Sequence, residues 1–257
     1  MTIQKTQAIV LKNQDIRETS LLLTLFTKDF GKIQGIAKGI RGKNSRISNS
    51  FEPFSYCNIV FYEKKRSNLH LVSHCDLKRY FHDLRKDLIK VSYAYYFTEL
   101  VKNFLQLHDK NEDIFNLLFN ALDFLDKSKM DVRILARAFE LKLLSLSGFK
   151  PKIDSCLKCS ALVKDKAFFN FSEGGLLCPD CAAKIRQTHT IIKQEILFFM
   201  HLLEYKDLFE IIRLKITPRI HKDLILIIHQ FMNIHIEKKF KSLDFVRQLE
   251  CLSISID

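Results

Sequence analysis

The sequence predicts an α+β protein in which a small N-terminal β-barrel precedes an all-α domain that carries an inserted four-cysteine module. Three observations lead to this prediction. Short β-type runs fill the first 80 residues, a helical period of 3.6 begins near residue 81, and two CxxC pairs interrupt the helical part. We therefore expect one domain over 1–80 and a second over 81–257, with the cysteine module at about 152–187.

Five runs in the first domain have the composition of β-strands. They cover residues 6–11, 20–27, 32–37, 55–62 and 69–75. Short turns such as 28–31 join them, so consecutive runs lie close together in space. Five strands with short connections are typical of the OB-fold, a small barrel that often binds single-stranded nucleic acid through basic loops and aromatic faces.

Beyond residue 80, apolar residues recur with the spacing of helical stripes. One stripe combines Leu84, Leu88, Val91, Tyr95 and Thr98, and a second combines Phe115, Leu118, Leu122 and Leu125. Further helices are expected over 133–147, about 190–204 and 218–240. The predicted boundary near residue 80 depends on this change of period, because no linker rich in glycine or proline marks it.

The net charge of +12 is unevenly distributed along the chain. The first 80 residues hold 14 basic and 6 acidic residues, so +8 of the total lies there. A lysine-rich composition imposed by an AT-biased genome would spread the excess evenly. The asymmetry therefore favours a local surface for a polyanion, with nucleic acid as the first candidate and acidic protein segments as the second.

Two loops carry most of this basic charge, one at 38–46 and one at 63–68. The candidate phosphate contacts in them are Lys38, Arg41, Lys43, Arg46, Lys64, Lys65 and Arg66. Bases are expected to stack on some members of a nearby aromatic set, Phe51, Phe54, Tyr56, Phe61 and Tyr62. Period-2 alternation turns roughly half of that set toward the barrel core. Ordinary solvated loops are the alternative interpretation of both basic clusters.

Four cysteines form two CxxC pairs separated by 18 residues: Cys156, Cys159, Cys178 and Cys181. This spacing is typical of a structural Zn²⁺ site with four thiolate ligands, one ion per chain. Four thiolates fill the coordination shell, so the site has no open position for catalysis. Four buried free thiols, or two redox-active pairs, are the alternatives.

The residues around the cysteines support the zinc interpretation. Residues 168–171 have the composition of a strand, and Gly174 with Gly175 predicts a hairpin turn back toward the second CxxC pair. The remaining cysteines, Cys57, Cys75 and Cys251, lie in or beside apolar runs and are expected in the core.

Searches for catalytic and membrane signatures find no match. Gly42-Lys43 is followed by Asn44 rather than Ser or Thr, and HExxH, GxSxG and GxGxxG are absent from the sequence. No apolar run approaches the about 20 residues that span a membrane. An odd number of cysteines argues against a disulfide framework. We expect a cytoplasmic protein without a membrane partner that is not an enzyme; a nuclease whose acidic residues converge only in space is the alternative.

Several segments carry a specific resemblance. They are residues 8–12, 18–20, 25–31, 37–41, 45–46 and 51–54, followed by 137–144 and 148–151. In their order along the chain these segments resemble the bacterial recombination mediator family RecO, and the four cysteines match its zinc-bearing members. The resemblance covers roughly residues 1–185.

The resemblance implies an OB-fold domain followed by a helical domain with a zinc module. It also implies a nucleoid-associated protein that binds single- and double-stranded DNA and anneals complementary strands. The implied partners are RecR, in many bacteria RecF, and single-strand binding protein. With RecR and RecF, the family loads RecA onto single strands that single-strand binding protein coats. Arg133 and Arg137, four residues apart on one helix, are the candidate contacts for the acidic C-terminal tail of that protein. A zinc-stabilised adaptor whose basic barrel binds an acidic protein partner is the alternative function.

Overall fold

The computed structural model describes residues 2–40, 48–64, 67–127, 131–163, 166–185, 189–211, 213–235, 240, 242, 243, 245, 246 and 248. The fold is the predicted α+β arrangement, with an N-terminal barrel, helices and a four-cysteine cluster. Two compact units divide the chain, one of residues 1–128 with 240–257 and one of residues 129–239. Within the described ranges, no helix combines the length and the apolar character needed to cross a membrane.

The barrel consists of five strands. Their bounds are Thr2–Arg17 (β1), Ser20–Thr27 (β2), Gly31–Ala37 (β3), Tyr56–Glu63 (β4) and Leu69–Arg79 (β5). The strand order is β1-β2-β3-β5-β4, and β1 pairs with β4 to close the barrel. Only the β3–β5 pair among these neighbours is parallel. A five-stranded barrel with this crossover is the OB-fold that the sequence predicts.

Alternation along the strands builds the barrel core. Every second residue of β3 is buried, beginning at Gly31, because successive side chains of a strand point to opposite faces. The inward side chains form an apolar cluster that includes Phe61. Cys57 and Cys75 belong to this cluster, which confirms the prediction for both. Cys251 lies outside the described residues.

Two long helices follow the barrel in the first unit, α1 (Leu88–Phe104) and α2 (Glu112–Lys127). Asp87 is the N-cap of α1, since its carboxylate accepts hydrogen bonds from the backbone N–H groups of Ile89 and Lys90. The compact unit therefore extends past residue 80, the position at which the change of period places the domain boundary.

Lys32 of β3 connects the barrel to the C-terminal end of α1. Its ammonium group donates to the carbonyl oxygens of Lys102, at 2.6 Å, and of Leu105. The last carbonyls of a helix lack partners within the helix, so a cation there satisfies them and complements the helix dipole. Gly31, the preceding residue, has φ 66°, and a Cβ atom at this position would collide with the backbone of Asp109.

The buried face of α1 differs from the predicted stripe. Leu88 and Tyr95 are 60% and 47% exposed, whereas Tyr93, Phe97 and Leu100 are buried. Apolar residues occupy most of the circumference of α1, so the 3.6-residue period does not identify the face that packs. The stripe predicted on α2 is confirmed, because all four of its residues are buried.

The second unit combines helices with a small sheet. Its described helices are α3 (Val132–Leu146), α4 (Pro179–Ala183), α5 (Gln194–Tyr205), α6 (Leu208–Ile211) and α7 (Pro218–His235). Its strands are β6 (Ala167–Asn170), β7 (Gly175–Leu177) and β8 (Thr190–Ile192), in the order β7-β6-β8. The β6–β7 hairpin is the one that the sequence predicts. The helix expected at about 190–204 starts later, because β8 occupies its first residues.

Candidate nucleic-acid interface and metal centre

The two basic loops are only partly described. Lys38 follows directly after β3 and is exposed, whereas Arg41, Lys43 and Arg46 lie outside the described residues. Lys64 follows β4 and is half-buried, and its backbone N–H donates to Nδ1 of His70 at 3.3 Å. Lys65 and Arg66 also lie outside the described residues. The two described lysines thus mark the starts of both loops at the ends of barrel strands.

The structure separates the aromatic candidates by location. Phe51, Phe54 and Phe61 are buried and contribute to the interior. Tyr56 is half-buried, and its ring packs against the Phe119 ring of α2 with centroids 4.8 Å apart. These four are therefore packing residues rather than stacking platforms. Tyr62 is half-buried on β4 and is the remaining stacking candidate of the five.

Tyr62 belongs to an outward face of the barrel that the sequence analysis missed. Its partner across the β1–β4 ladder is Ile3, which is 58% exposed. Two residues along, exposed Lys5 lies opposite half-buried Val60. Directly opposed residues on one sheet face have Cβ atoms about 5 Å apart. An aromatic ring, apolar surface and a cation are thus adjacent, an arrangement visible only once the strand register is known.

The four cysteines of the two CxxC pairs converge. The sulfur atoms of Cys156, Cys159, Cys178 and Cys181 all lie within 4.8 Å of one another. Cys156 is buried, Cys159 is exposed and the other two are half-buried. Zn–S bonds of about 2.3 Å in a tetrahedron place the sulfurs about 3.8 Å apart. The Sγ atoms of Cys159 and Cys178 are 3.8 Å apart, so the cluster is close enough to hold one metal ion and fits zinc.

Tight turns position both cysteine pairs. After the first pair, the backbone N–H of Ser160 donates to the carbonyl of Cys156, and Ser160 has φ 57°. Cys178 is the N-cap residue of α4, with Pro179 at the start of the helix. The N–H of Leu157 donates to the carbonyl of Leu176 at 2.7 Å, which joins the first turn to β7. Each CxxC segment therefore directs its two thiols to one point.

The backbone around Cys156 favours its ionised form. Burial alone opposes ionisation, but hydrogen bonds from the backbone N–H groups of Cys159, Cys178 and Lys158 outweigh it and lower the pKa of Cys156 to about 6. The N–H of Cys178 lies 3.4 Å from this sulfur. A thiolate is the form that binds a metal ion. Cys156 is thus predisposed to bind a thiophilic divalent cation, whereas hydrogen bonding to Cys178 and burial raise the pKa of Cys181 to about 12.

The two arginines predicted to bind an acidic tail have different environments. Arg133 is half-buried, and its guanidinium pairs with Asp131 at 2.7 Å. Arg137 is 2% exposed, and its guanidinium pairs with Glu140 at 2.6 Å. Glu140 also lies 3.1 Å from Nε2 of His229. The prediction of Arg137 as a surface contact is therefore wrong, because an ion pair one helical turn away holds its side chain in the interior.

Comparison with known proteins identifies the family. Residues 1–81 match the family model described as Recombination protein O N terminal, and residues 85–244 match the one described as Recombination protein O C terminal. The chain belongs to the RecO family. DNA repair protein RecO of Alkaliphilus metalliredigens (strain QYMF) is 35% identical over 246 residues, which are 95% of this chain and 99% of that protein. DNA repair protein RecO of Thermoanaerobacter sp. (strain X514) is 34% identical over 253 residues, 97% of this chain and 99% of that protein.

Membership of the RecO family places the chain among DNA repair proteins. The two RecO models meet between residues 81 and 85, where the strand pattern gives way to helices. The uneven charge of the chain is consistent with a role in DNA repair, since the N-terminal RecO region carries most of the excess of basic residues.

Proposed function

We propose that this chain is a RecO recombination mediator that binds DNA and anneals complementary single strands. One observation carries the proposal: the closed five-stranded barrel bears +8 of the net charge of +12, in a chain that belongs to the RecO family. The barrel loops that begin at Lys38 and Lys64 supply the phosphate contacts, together with the remaining basic residues of the two loops, Arg41, Lys43, Arg46, Lys65 and Arg66.

Charge neutralisation explains how such a surface anneals DNA. Two single strands repel one another through their phosphates, and each carries condensed counterions. A basic surface that contacts both strands releases counterions and lowers the cost of bringing them together. The process needs no chemical step, so the proposed function is not that of an enzyme.

The cysteine cluster is proposed to hold one structural Zn²⁺. When bound, the ion cross-links the two CxxC turns through the thiolates of Cys156, Cys159, Cys178 and Cys181. The sulfur spacing and the ionised character of Cys156 support this assignment. The four side chains fill a tetrahedral shell, so the site acts in folding rather than in catalysis.

The proposed partners follow from the family. They are RecR, RecF in bacteria that have it, and single-strand binding protein, whose acidic C-terminal tail would contact the second unit. With Arg137 buried, Arg133 is the remaining candidate for that contact. In this proposal the protein works in the cytoplasm at the nucleoid and helps to load RecA onto coated single strands.

The experiment that tests the function is annealing of two complementary oligonucleotides without ATP, with one pair bare and one coated by the cognate single-strand binding protein. We expect the full-length, zinc-loaded chain to accelerate both reactions at low salt and neither at high salt. No acceleration by a chain with one zinc per molecule would favour a protein-interaction adaptor instead. Cleavage of labelled DNA in the presence of Mg²⁺ would contradict the non-enzymatic function.

A further inference from the structure

Ion pairing is unevenly distributed over the second unit. Six of its described cationic side chains pair with a carboxylate: Arg133, Arg137, Lys150, Lys158, Lys193 and Lys206. Lys142 donates instead to the backbone carbonyl of Glu204 at 2.8 Å. Four exposed cations between residues 213 and 222 have no carboxylate within ion-pair distance among the described residues: Arg213, Lys215, Arg219 and Lys222. Three further unpaired lysines are scattered through the cysteine module. We call the four clustered residues the α7 basic patch.

The patch contains no acidic residue, and nearby carboxylates are already engaged. Glu210 on the N-terminal side pairs with Lys206, and Asp223 on the C-terminal side pairs with Lys193. The carboxylate of Asp207 accepts a hydrogen bond from the backbone N–H of Glu210 at 2.9 Å. The four positive charges of the patch are therefore not neutralised by these neighbours.

The local fold directs all four cations outward. Leu214 and Ile216 are half-buried, while Arg213 and Lys215 beside them are exposed, so exposure alternates along this non-helical segment. Arg219 and Lys222 follow in α7 and share one face of that helix, because residues three apart are neighbours on a helix surface. The segment thus exposes four cations within ten residues of sequence.

The position of Arg219 is electrostatically unfavourable in the isolated chain. The first turn of α7 contains no acidic residue. Positive charge near a helix N-terminus opposes the helix dipole, whereas negative charge there is stabilising. The cations of the patch therefore repel both each other and the start of the helix. A polyanion bound across the patch would relieve both repulsions.

The composition of the patch favours nucleic acid over a peptide. Between its cations, Leu214 and Ile216 are half-buried and Ile220 is buried, so charged groups provide most of the exposed surface of the patch. Contacts of this kind suit a phosphodiester backbone, which is read as a row of charges without regard to sequence. An acidic peptide would offer the same charge, and the test below distinguishes the two.

We infer that the α7 basic patch is a second nucleic-acid surface, separate from the barrel, which contacts the phosphate backbone of a second strand. The inference rests on the proposed annealing function and assigns it a second site. Annealing brings two strands together, and a chain with a phosphate-binding surface on each compact unit can contact both. Binding at the patch is expected to be independent of sequence and strongly dependent on salt.

The test uses full-length protein with two labelled oligo-dT strands, which cannot anneal to each other. The patch variant carries Arg213→Gln, Lys215→Gln, Arg219→Gln and Lys222→Gln. A control variant loses the same charge from exposed lysines of the cysteine module, through Lys152→Gln, Lys158→Gln, Lys166→Gln and Lys184→Gln. Zinc content and thermal unfolding are measured for both, to show that each variant is folded.

We expect the patch variant to bind the first strand normally and the second strand at least tenfold more weakly than the control does. The slope of log K against log salt for the second strand should fall by about 0.7 for each lost phosphate contact. Annealing of complementary strands should slow in parallel. The control should retain second-strand binding, because its charges lie outside the patch.

Four results would overturn the inference. Equal second-strand binding by the two variants would show that total charge matters and the patch does not. Loss of affinity for a polyglutamate peptide with unchanged DNA binding would assign the patch to an acidic protein. If the wild-type chain binds no DNA, both the proposed function and this inference are wrong. If the patch variant anneals DNA as efficiently as the wild-type chain, this inference alone is wrong.

Discussion

The interiors of both compact units are largely apolar, but that of the second also contains a buried ion pair. The barrel surrounds a cluster of apolar residues drawn from all five strands. The second unit buries the Arg137–Glu140 ion pair and two histidines, and among the described residues of its cysteine module a small apolar cluster is centred on buried Cys156, Leu177 and Ala182. The stability of the barrel should therefore depend mainly on packing, while that of the second unit should depend also on metal and pH.

Removal of the metal ligands should have the largest effect and should be confined to the second unit. We expect Cys159→Ser with Cys178→Ser to abolish zinc binding, since apparent affinities of such sites are about 10–16 kcal/mol and contribute directly to folding. Proteolysis between residues 152 and 185 should accelerate at least tenfold, while single-strand binding by the barrel persists. Cys75→Ala, which removes a thiol from the barrel core, should retain one zinc per chain by elemental analysis.

Truncation in the barrel core should give the converse result. Phe61→Ala should lower the free energy of unfolding of the first unit by about 3–5 kcal/mol, because it opens a cavity in a packed core. Its zinc content should not change. Urea unfolding measures the loss, and the neighbouring outward residue provides the control, since Tyr62→Ala should cost about 1 kcal/mol or less. An equal loss for both substitutions would contradict the packing described for β4.

The buried ion pair offers a test within the second unit. Arg137→Met should destabilise this unit by about 3 kcal/mol, because it leaves the buried Glu140 carboxylate without its cation. Replacing both residues, as Arg137→Met with Glu140→Leu, should recover most of that loss, since a well-packed apolar pair is often as stable as a buried ion pair. Urea unfolding measures both variants. If the double variant is no more stable than the single one, the ion pair stabilises the second unit more than an apolar pair does.

The smallest expected effect is a pH dependence of the stability of the second unit. Burial, with the nearby guanidinium groups of Arg137 and Arg133, lowers the pKa of His221 to about 4. In the unfolded chain the pKa of His221 is near 6.5. Between pH 4 and 6.5 the unfolded chain therefore binds more protons than the folded chain. Stability should fall by about 2 kcal/mol as the pH drops from 7 to 5. His221→Gln should flatten this decline in urea unfolding measured across that range, and an unchanged slope would contradict the assignment.

Local patterns were sufficient to predict the parts of the molecule whose signals are short-range. Strand alternation and short turns predicted the five barrel strands, and the CxxC spacing predicted the convergence of four sulfurs. Both predictions depend on the spacing of residues within a short stretch of sequence.

The features that sequence analysis missed depend on distant partners. The burial of Arg137 requires Glu140 on its own helix and His229 from α7, which lies 89 residues after Glu140. Lys5, Val60 and Tyr62 share a face only because β1 pairs with β4 in one register. The prediction of the packed side of α1 is wrong because apolar residues surround this helix. The elements that pack against α1 therefore determine which face is buried.

The closure of the barrel has a consequence for how the chain folds as it is synthesised. β1, β2 and β3 form a local meander, but β1 also pairs with β4, whose Glu63 lies opposite Thr2, and β3 pairs with β5. Until β5 has emerged, the growing sheet has two open edges with unpaired backbone groups, first those of β1 and β3 and then those of β4 and β3. At a synthesis rate of about 5–20 residues per second this interval lasts for several seconds. During it, an extended segment from another nascent chain can add to either edge, so the newborn barrel is exposed to aggregation at a stage that the closed barrel never experiences.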